Sequence, residues 1–156
     1  MFSKSCEYAI RATIFIASES TRGNKMGIKD IAQKIDSPVA FTAKILQNLV
    51  RHKIIRSTKG PTGGFEVSSE SMKEIKLADI VRAIDGDSVY QGCALGLPTC
   101  SESSPCPAHN KFKHIREELK KMLTSTSLEE LTQGVHIGTT FLKQEKPNIN
   151  DIITNK

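Results

Sequence analysis

Six residues, Lys59-Gly60-Pro61-Thr62-Gly63-Gly64, put three glycines and a proline between two runs of β character, Ile54–Thr58 and Phe65–Ser68. The proline removes a backbone donor, and the glycines open conformations closed to other residues, so neither run can continue through the stretch. It predicts a hairpin whose tip approaches another surface closely. The chain before it reads as helical. Ser3–Ser20 is a helix that Ser3 or Ser5 can cap, with Tyr8, Ala9, Ala12, Phe15 and Ile16 on one face. A polar turn through Gly23 and Asn24 leads to Gly27–Ile35, a short helix with Ile28, Ile31, Ala32 and Ile35 on one side. Asp36-Ser37-Pro38 breaks it. Pro38 is expected as the first residue of a third helix, where its missing N–H is no loss. That helix reaches about His52, with Phe41, Ile45, Leu46 and Leu49 at helical spacing.

Three helices and then a glycine-rich hairpin is the order of a winged helix-turn-helix. The expected fold is mainly α with a small β-hairpin wing and a long C-terminal dimerisation helix. Leu77–Ile84 adds a helix that Asp85-Gly86-Asp87 ends, and Gly92–Pro107 is a loop. In His109–Leu123 the apolar residues Phe112, Ile115, Leu119 and Met122 follow a 3-4-3 spacing, the seam of a helix pair. Ser127 and Glu130 form a Ser-x-x-Glu box at the start of a short helix, Ser127–Thr132. The expected organisation is a DNA-binding domain over 1–90, a cysteine-rich loop over 91–107, a dimerisation region over 108–135 and a flexible tail over 136–156.

Charge is unevenly placed along the chain. Residues 1–67 hold 11 Lys/Arg against 5 Asp/Glu, whereas residues 68–156 hold 11 against 12, so the whole net excess of +5 comes from the first part. A basic half joined to a neutral half implies a polyanionic partner for the basic half. The residues meeting a duplex would be those near the start of the third helix: Val39, Ala40, Phe41, Thr42 and Lys44. Ala40, Phe41 and Thr42 suit thymine methyls, and Lys44 suits phosphate or guanine. The hairpin would bring Lys59, Pro61 and Thr62 to the DNA backbone or minor groove, with N–H groups at Gly60, Gly63 and Gly64 free to bond phosphate. Lys29 adds charge on the second helix. The competing reading is a helix-turn-helix used only for packing, with Phe41 in the core and Lys29, Lys34 and Lys44 on a solvated face.

No apolar run approaches the roughly 20 residues that span a bilayer. Glu7, Arg11 and Glu19 interrupt Met1–Thr21, which is therefore not expected to be a signal peptide. A cytoplasmic protein with no membrane partner is expected, and there stable disulfides are uncommon. The cysteines then need another reason. Cys93, Cys100 and Cys106 are spaced C-x6-C-x5-C, and His109 follows the last by three. The residues between them are small or rich in Gly, Pro and Ser, so the thiols can turn toward one centre. Four readings remain open on these residues. They are an iron–sulfur cluster with thiolate and histidine ligands, a tetrahedral zinc site, a reversible disulfide, and three incidental thiols, which would be an oxidation hazard. Zinc sites more often use close C-x2-C pairs, which are absent here, and this favours a cluster. Cys6 stands apart on the first helix and is expected to be a buried structural thiol. The absence of a C-x-x-C pair, a nucleotide-binding loop or a Ser/His/Asp order argues against an enzyme.

Taken together, these residues resemble the Rrf-two family of bacterial transcription regulators. Ser5-Cys6-Glu7-Tyr8-Ala9-Ile10-Arg11-Ala12 looks like that family's opening helix, and Lys59-Gly60-Pro61-Thr62-Gly63-Gly64-Phe65 looks like its wing. Cys93, Cys100 and Cys106 match its three cluster ligands, although the gap between the first two is one residue longer than usual. The resemblance covers roughly residues 1–135. It implies a regulator, a repressor, that senses redox state, nitric oxide or iron–sulfur status through a cluster. It also implies a homodimer on palindromic double-stranded DNA. The fourth ligand it implies is His109, as in the family's iron–sulfur regulators, or Glu7 from the partner subunit, as in its nitric-oxide sensors. A 2Fe–2S cluster is favoured and a 4Fe–4S cluster is the alternative.

Overall fold

In the computed structural model, residues 1–144 are described; residues 145–156, which hold most of the tail expected to be flexible, lie outside the described residues. Helix α1 (Lys4–Thr21) runs through the middle of the molecule. Ser3 is its cap, accepting the Cys6 N–H at 3.1 Å. The Ser3 N–H also donates to Asp85 at 2.8 Å, which ties the start of α1 to a later helix. Ala9, Ala12 and Ala17 are fully buried on α1, and their small side chains let neighbouring helices approach closely.

Helices α2 (Ile28–Ile35) and α3 (Val39–Arg51) form the helix-turn-helix. Asp36 ends α2 in the left-handed region with φ 54°, which gives the chain its sharp turn. Pro38 sits one place earlier than expected, as the residue before α3, and its carbonyl accepts the Thr42 N–H at 2.9 Å. Strands β1 (Arg56–Thr58) and β2 (Gly64–Glu66) pair antiparallel, with Ser57 opposite Phe65. They are shorter than the runs read from the sequence because Ile54 and Ile55 turn into the core instead. Phe65 exchanges two backbone hydrogen bonds with Met26, at 2.9 and 3.0 Å, which fastens the hairpin to the segment entering α2.

Two very short helices were not expected: α4 (Ser69–Glu74), capped by Ser68, and α6 (Ser88–Gln91). Helix α5 (Leu77–Asp85) lies between them. Helix α7 (His109–Ser125) and helix α8 (Leu128–His136) follow, with Ser127 capping α8 by accepting the Glu130 N–H at 3.1 Å. Helix α8 continues one turn beyond Thr132, and Leu142 folds back far enough for its carbonyl to meet Arg11 at 3.4 Å.

The main core gathers Ile16, Ile31, Ile35, Leu46, Leu49, Ile55, Ile80 and Leu128, all withdrawn from water. A smaller cluster of Cys6, Leu77, Ala78, Val81, Tyr90 and Leu123 joins α1, α5, α6 and the end of α7. Leu77 and Leu128 donate backbone bonds to Thr126 and Ile75, each at 2.9 Å, and so lock the α7–α8 turn onto the head. The C-terminal end of α7 is thus anchored, and its N-terminal half is left to carry the cysteine loop. Among the described residues, no helix is long and apolar enough to cross a membrane.

Candidate cluster site and nucleic-acid interface

At the start of α3, Val39, Ala40 and Lys44 are exposed, as are Lys29 on α2 and Lys59, Gly60, Pro61 and Thr62 in the wing. Among the described residues, Lys29, Lys44 and Lys59 make no ion pair, so their charge is free for an anionic partner. Gly60 has φ 102°, and a Cβ at Gly63 would lie 2.1 Å from the Thr58 carbonyl, so the tip requires glycine at both places. Three of the expected contacts are placed differently. The Gly63 N–H donates to the Gly60 carbonyl at 3.0 Å, so it closes the tip's own turn and is not free for phosphate. Thr42 is fully buried, and its hydroxyl donates to the Pro38 carbonyl at 3.0 Å. It completes the inward face with Ile45, Leu46 and Leu49, and this removes it from the reading surface. Phe41 is half-buried and meets Tyr8 edge-on, with ring centroids 5.7 Å apart, so part of its area serves packing.

The candidate metal donors gather at the N-terminus of α7 in two pairs. Cys93 Sγ lies 3.9 Å from Cys106 Sγ, and Cys100 Sγ lies 3.4 Å from His109 Nδ1. His109 is buried at 6% exposure, and its Nε2 has no hydrogen-bond partner among the described residues. A buried polar nitrogen without a partner is costly, and a metal or water bonded there would relieve the cost. Backbone N–H groups of Leu95 and Leu97 hold the Cys93 thiol below its ordinary range. Cys6 behaves oppositely: burial, reinforced by the charge of Asp85, pushes its thiol up to about 12. It is the inert structural thiol expected. Glu7, on α1, is paired with Lys4 at 2.8 Å and joins none of the loop's hydrogen bonds within one chain.

The donor set suits a metal group. Two thiolates bound at about 2.3 Å to one tetrahedral metal sit about 3.8 Å apart, which the Cys93–Cys106 separation matches. Among the described residues, no three such side chains converge as a single ion needs. The donors meet as two pairs, Cys93 with Cys106 and Cys100 with His109.

The family model Rrf2, described as an iron-dependent transcriptional regulator, matches residues 2–134. This chain belongs to the Rrf2 family. It is 29% identical over 133 residues to an HTH-type transcriptional regulator of Aquifex aeolicus, a match spanning 84% of this chain and 90% of that one. It is 25% identical to IscR of Photorhabdus laumondii, over 83% of this chain and 77% of the relative. Among solved structures it is similar in fold to CymR of B. subtilis, the global cysteine regulator there. The TM-score is 0.70 at 23% identity, over 85% of this chain and 95% of that chain. Rrf2 membership makes the chain a transcriptional regulator with a winged helix-turn-helix, and its relatives are regulators rather than enzymes.

Two residues beside the Rrf2 loop escaped the sequence reading. Arg116 donates through Nη2 to Cys100 Sγ at 3.1 Å and through Nη1 to the Gly92 carbonyl at 3.2 Å. Lys113 pairs with Glu102 in the second half of the loop. The signal for both was present in the spacing. His109, Lys113 and Arg116 recur at four and three residues, which puts them on one face of α7.

Proposed function

We propose that this chain is a DNA-binding homodimer in which Cys93, Cys100, Cys106 and His109 hold a 2Fe–2S cluster whose state sets affinity for a palindromic operator. The observation that carries the reading is the pairing of donors, Cys93 with Cys106 and Cys100 with His109, beside a buried His109 nitrogen left without a partner. When bound, the cluster supplies a centre that gains or loses an electron and reacts with oxidants or nitric oxide. The rest of the mechanism belongs to the protein. Val39, Ala40 and Lys44 meet base edges and phosphates in the major groove, and Lys29 adds charge. Lys59, Gly60, Pro61, Thr62 and Gly63 bring the wing against the backbone. Phe112, Ile115 and Met122, large apolar residues exposed on α7, seat a second copy of the chain. A cytoplasmic location accords with this role. The loop is linked to the head through α7 and the small cluster around Cys6, Tyr90 and Leu123. A change at the sulfurs thereby moves the helix that fixes how two heads are spaced. Coupling of about 1–3 kcal/mol between the two places suffices for regulation.

A second reading is a metal-free thiol switch, favoured by the contact between Cys93 and Cys106. One experiment separates the readings. Protein purified anaerobically is assayed for iron, sulfide and zinc and its visible spectrum is recorded, with operator binding measured at several salt concentrations. Two irons and two sulfides per chain, with coloured protein, are expected. Four irons per chain would move the fourth-ligand assignment to Glu7 of a partner subunit. Colourless protein with one zinc per chain rejects the cluster, and metal-free protein with a reversible Cys93–Cys106 disulfide supports the switch.

A further inference from the structure

We propose that Arg116 is a positioning residue that sets the reduction potential of the cluster site and ties the loop to α7. The assignment rests on the cluster reading above. Its guanidinium forks, with one arm on Cys100 Sγ at 3.1 Å and the other on the Gly92 carbonyl at 3.2 Å. Gly92 directly precedes Cys93, so one side chain reaches both pairs of donors: it bonds a member of one and the backbone beside a member of the other. A second cation near the loop, Lys113, is already paired with Glu102. Arg116 makes no ion pair among the described residues, so no carboxylate neutralises its charge beside the sulfur.

The physical consequence has a definite sign. An N–H bond to a ligating sulfur withdraws electron density from it, and a fixed positive charge beside the site favours whichever form carries the extra electron. Both effects raise the potential. The relevant step is uptake of one electron by the diferric site, giving one ferrous and one ferric iron, with no bond made or broken. Arginine suits the place better than lysine. Its planar fork presents several donors in fixed directions and can hold sulfur and carbonyl together, whereas lysine offers a point charge on a flexible stem.

The test uses the full chain, reconstituted anaerobically as wild type, Arg116→Gln and Arg116→Lys. Circular dichroism checks the fold, iron analysis checks loading, and dithionite, which donates the electron, titrates the visible spectrum against redox dyes. Arg116→Gln is expected to shift the equilibrium about tenfold toward the oxidised form, which is about 59 mV lower for one electron. Arg116→Lys should recover part of that shift through its charge. A folded Arg116→Gln that takes up no iron while Arg116→Lys does also supports the assignment, since a charge beside Cys100 is then required for capture. A loaded Arg116→Gln with the wild-type potential overturns it, as do equal shifts in both variants or loss of loading in both with the fold intact. Wild type that takes up no iron overturns the cluster reading and this assignment with it.

Discussion

In the head, Ile16, Ile31, Leu46 and Leu49 are shut away from water by three helices. In the cysteine loop, Leu95 and Leu97 stand about half exposed, at 54% and 49%, and the segment is fixed by sulfur contacts, an arginine fork and one ion pair. The head therefore draws its stability from apolar burial, which acts whatever ligand is present. The loop draws its shape from polar groups at the surface, and such contacts contribute little by themselves. A regulator gains from this division. On the proposed function, the reading head has to persist in both states, whereas the cysteine loop has to rearrange when its chemistry changes.

Removing one sulfur should separate the loop from the head most clearly. Cys93→Ser should abolish iron uptake in anaerobic reconstitution and leave the thermal midpoint of the metal-free protein within a few degrees of wild type. A fall of more than about 2 kcal/mol, the scale of core damage, would show that the loop helps to hold up the head. The converse variant is Leu46→Ala. It empties space in the main core and is expected to cost about 2–5 kcal/mol in denaturant unfolding. Stability close to wild type would mean that this core does not carry the head.

Cysteine occurs in both regions. Cys6 is fully buried, with its thiol pushed up to about 12, and the three loop thiols are partly accessible. In chelator-treated native protein, iodoacetamide should label Cys93, Cys100 and Cys106 and spare Cys6 until denaturant is added. The same shift predicts a pH dependence. The folded chain retains a proton at Cys6 that the unfolded chain releases near its ordinary value of 9.0. The stability tied to that thiol is thus complete below pH 9 and is lost as pH rises toward 12. Wild type should lose stability over that window relative to Cys6→Ala, and parallel curves for the two would contradict the assignment.

The two regions also differed in how far their sequence could be read. Helices with eight or more residues and a cap, such as α1 behind Ser3 and α8 behind Ser127, announce themselves by periodic apolar residues and a side-chain oxygen at the start. Helices α4 and α6 have six and four residues, too few for a period to register, and tertiary packing decides them. Thr42 reads as a groove contact because it is polar and near a helix start. Its spacing to Ile45, Leu46 and Leu49 nevertheless belongs to the buried stripe, and its hydroxyl is satisfied within its own helix. In the loop the thiols were legible as a set, but their pairing was not. Spacing without secondary structure carries no information about which sulfur meets which, and Arg116 reaches the loop from sixteen residues beyond Cys100.

The smallest expected effect tests the head alone. Lys59 lies in the wing, exposed and without an ion pair among the described residues, so removing it should not disturb the fold. If the wing lies along the DNA backbone, Lys59 displaces about one counterion on binding. Lys59→Ala should then weaken binding to operator and unrelated DNA alike and reduce the slope of log affinity against log salt by about 1. Lys44→Ala differs in kind. A lysine near the start of the recognition helix reaches guanine as well as phosphate, so its loss should narrow the gap between operator and unrelated DNA. Equal behaviour of the two variants would place both lysines on phosphate and leave base reading to Val39, Ala40 and the exposed part of Phe41. An unchanged salt slope in Lys59→Ala would take the wing off the duplex altogether. Neither variant should alter iron content, because nothing in the wing touches the loop's donors; a change there would join the two regions more tightly than their contacts imply.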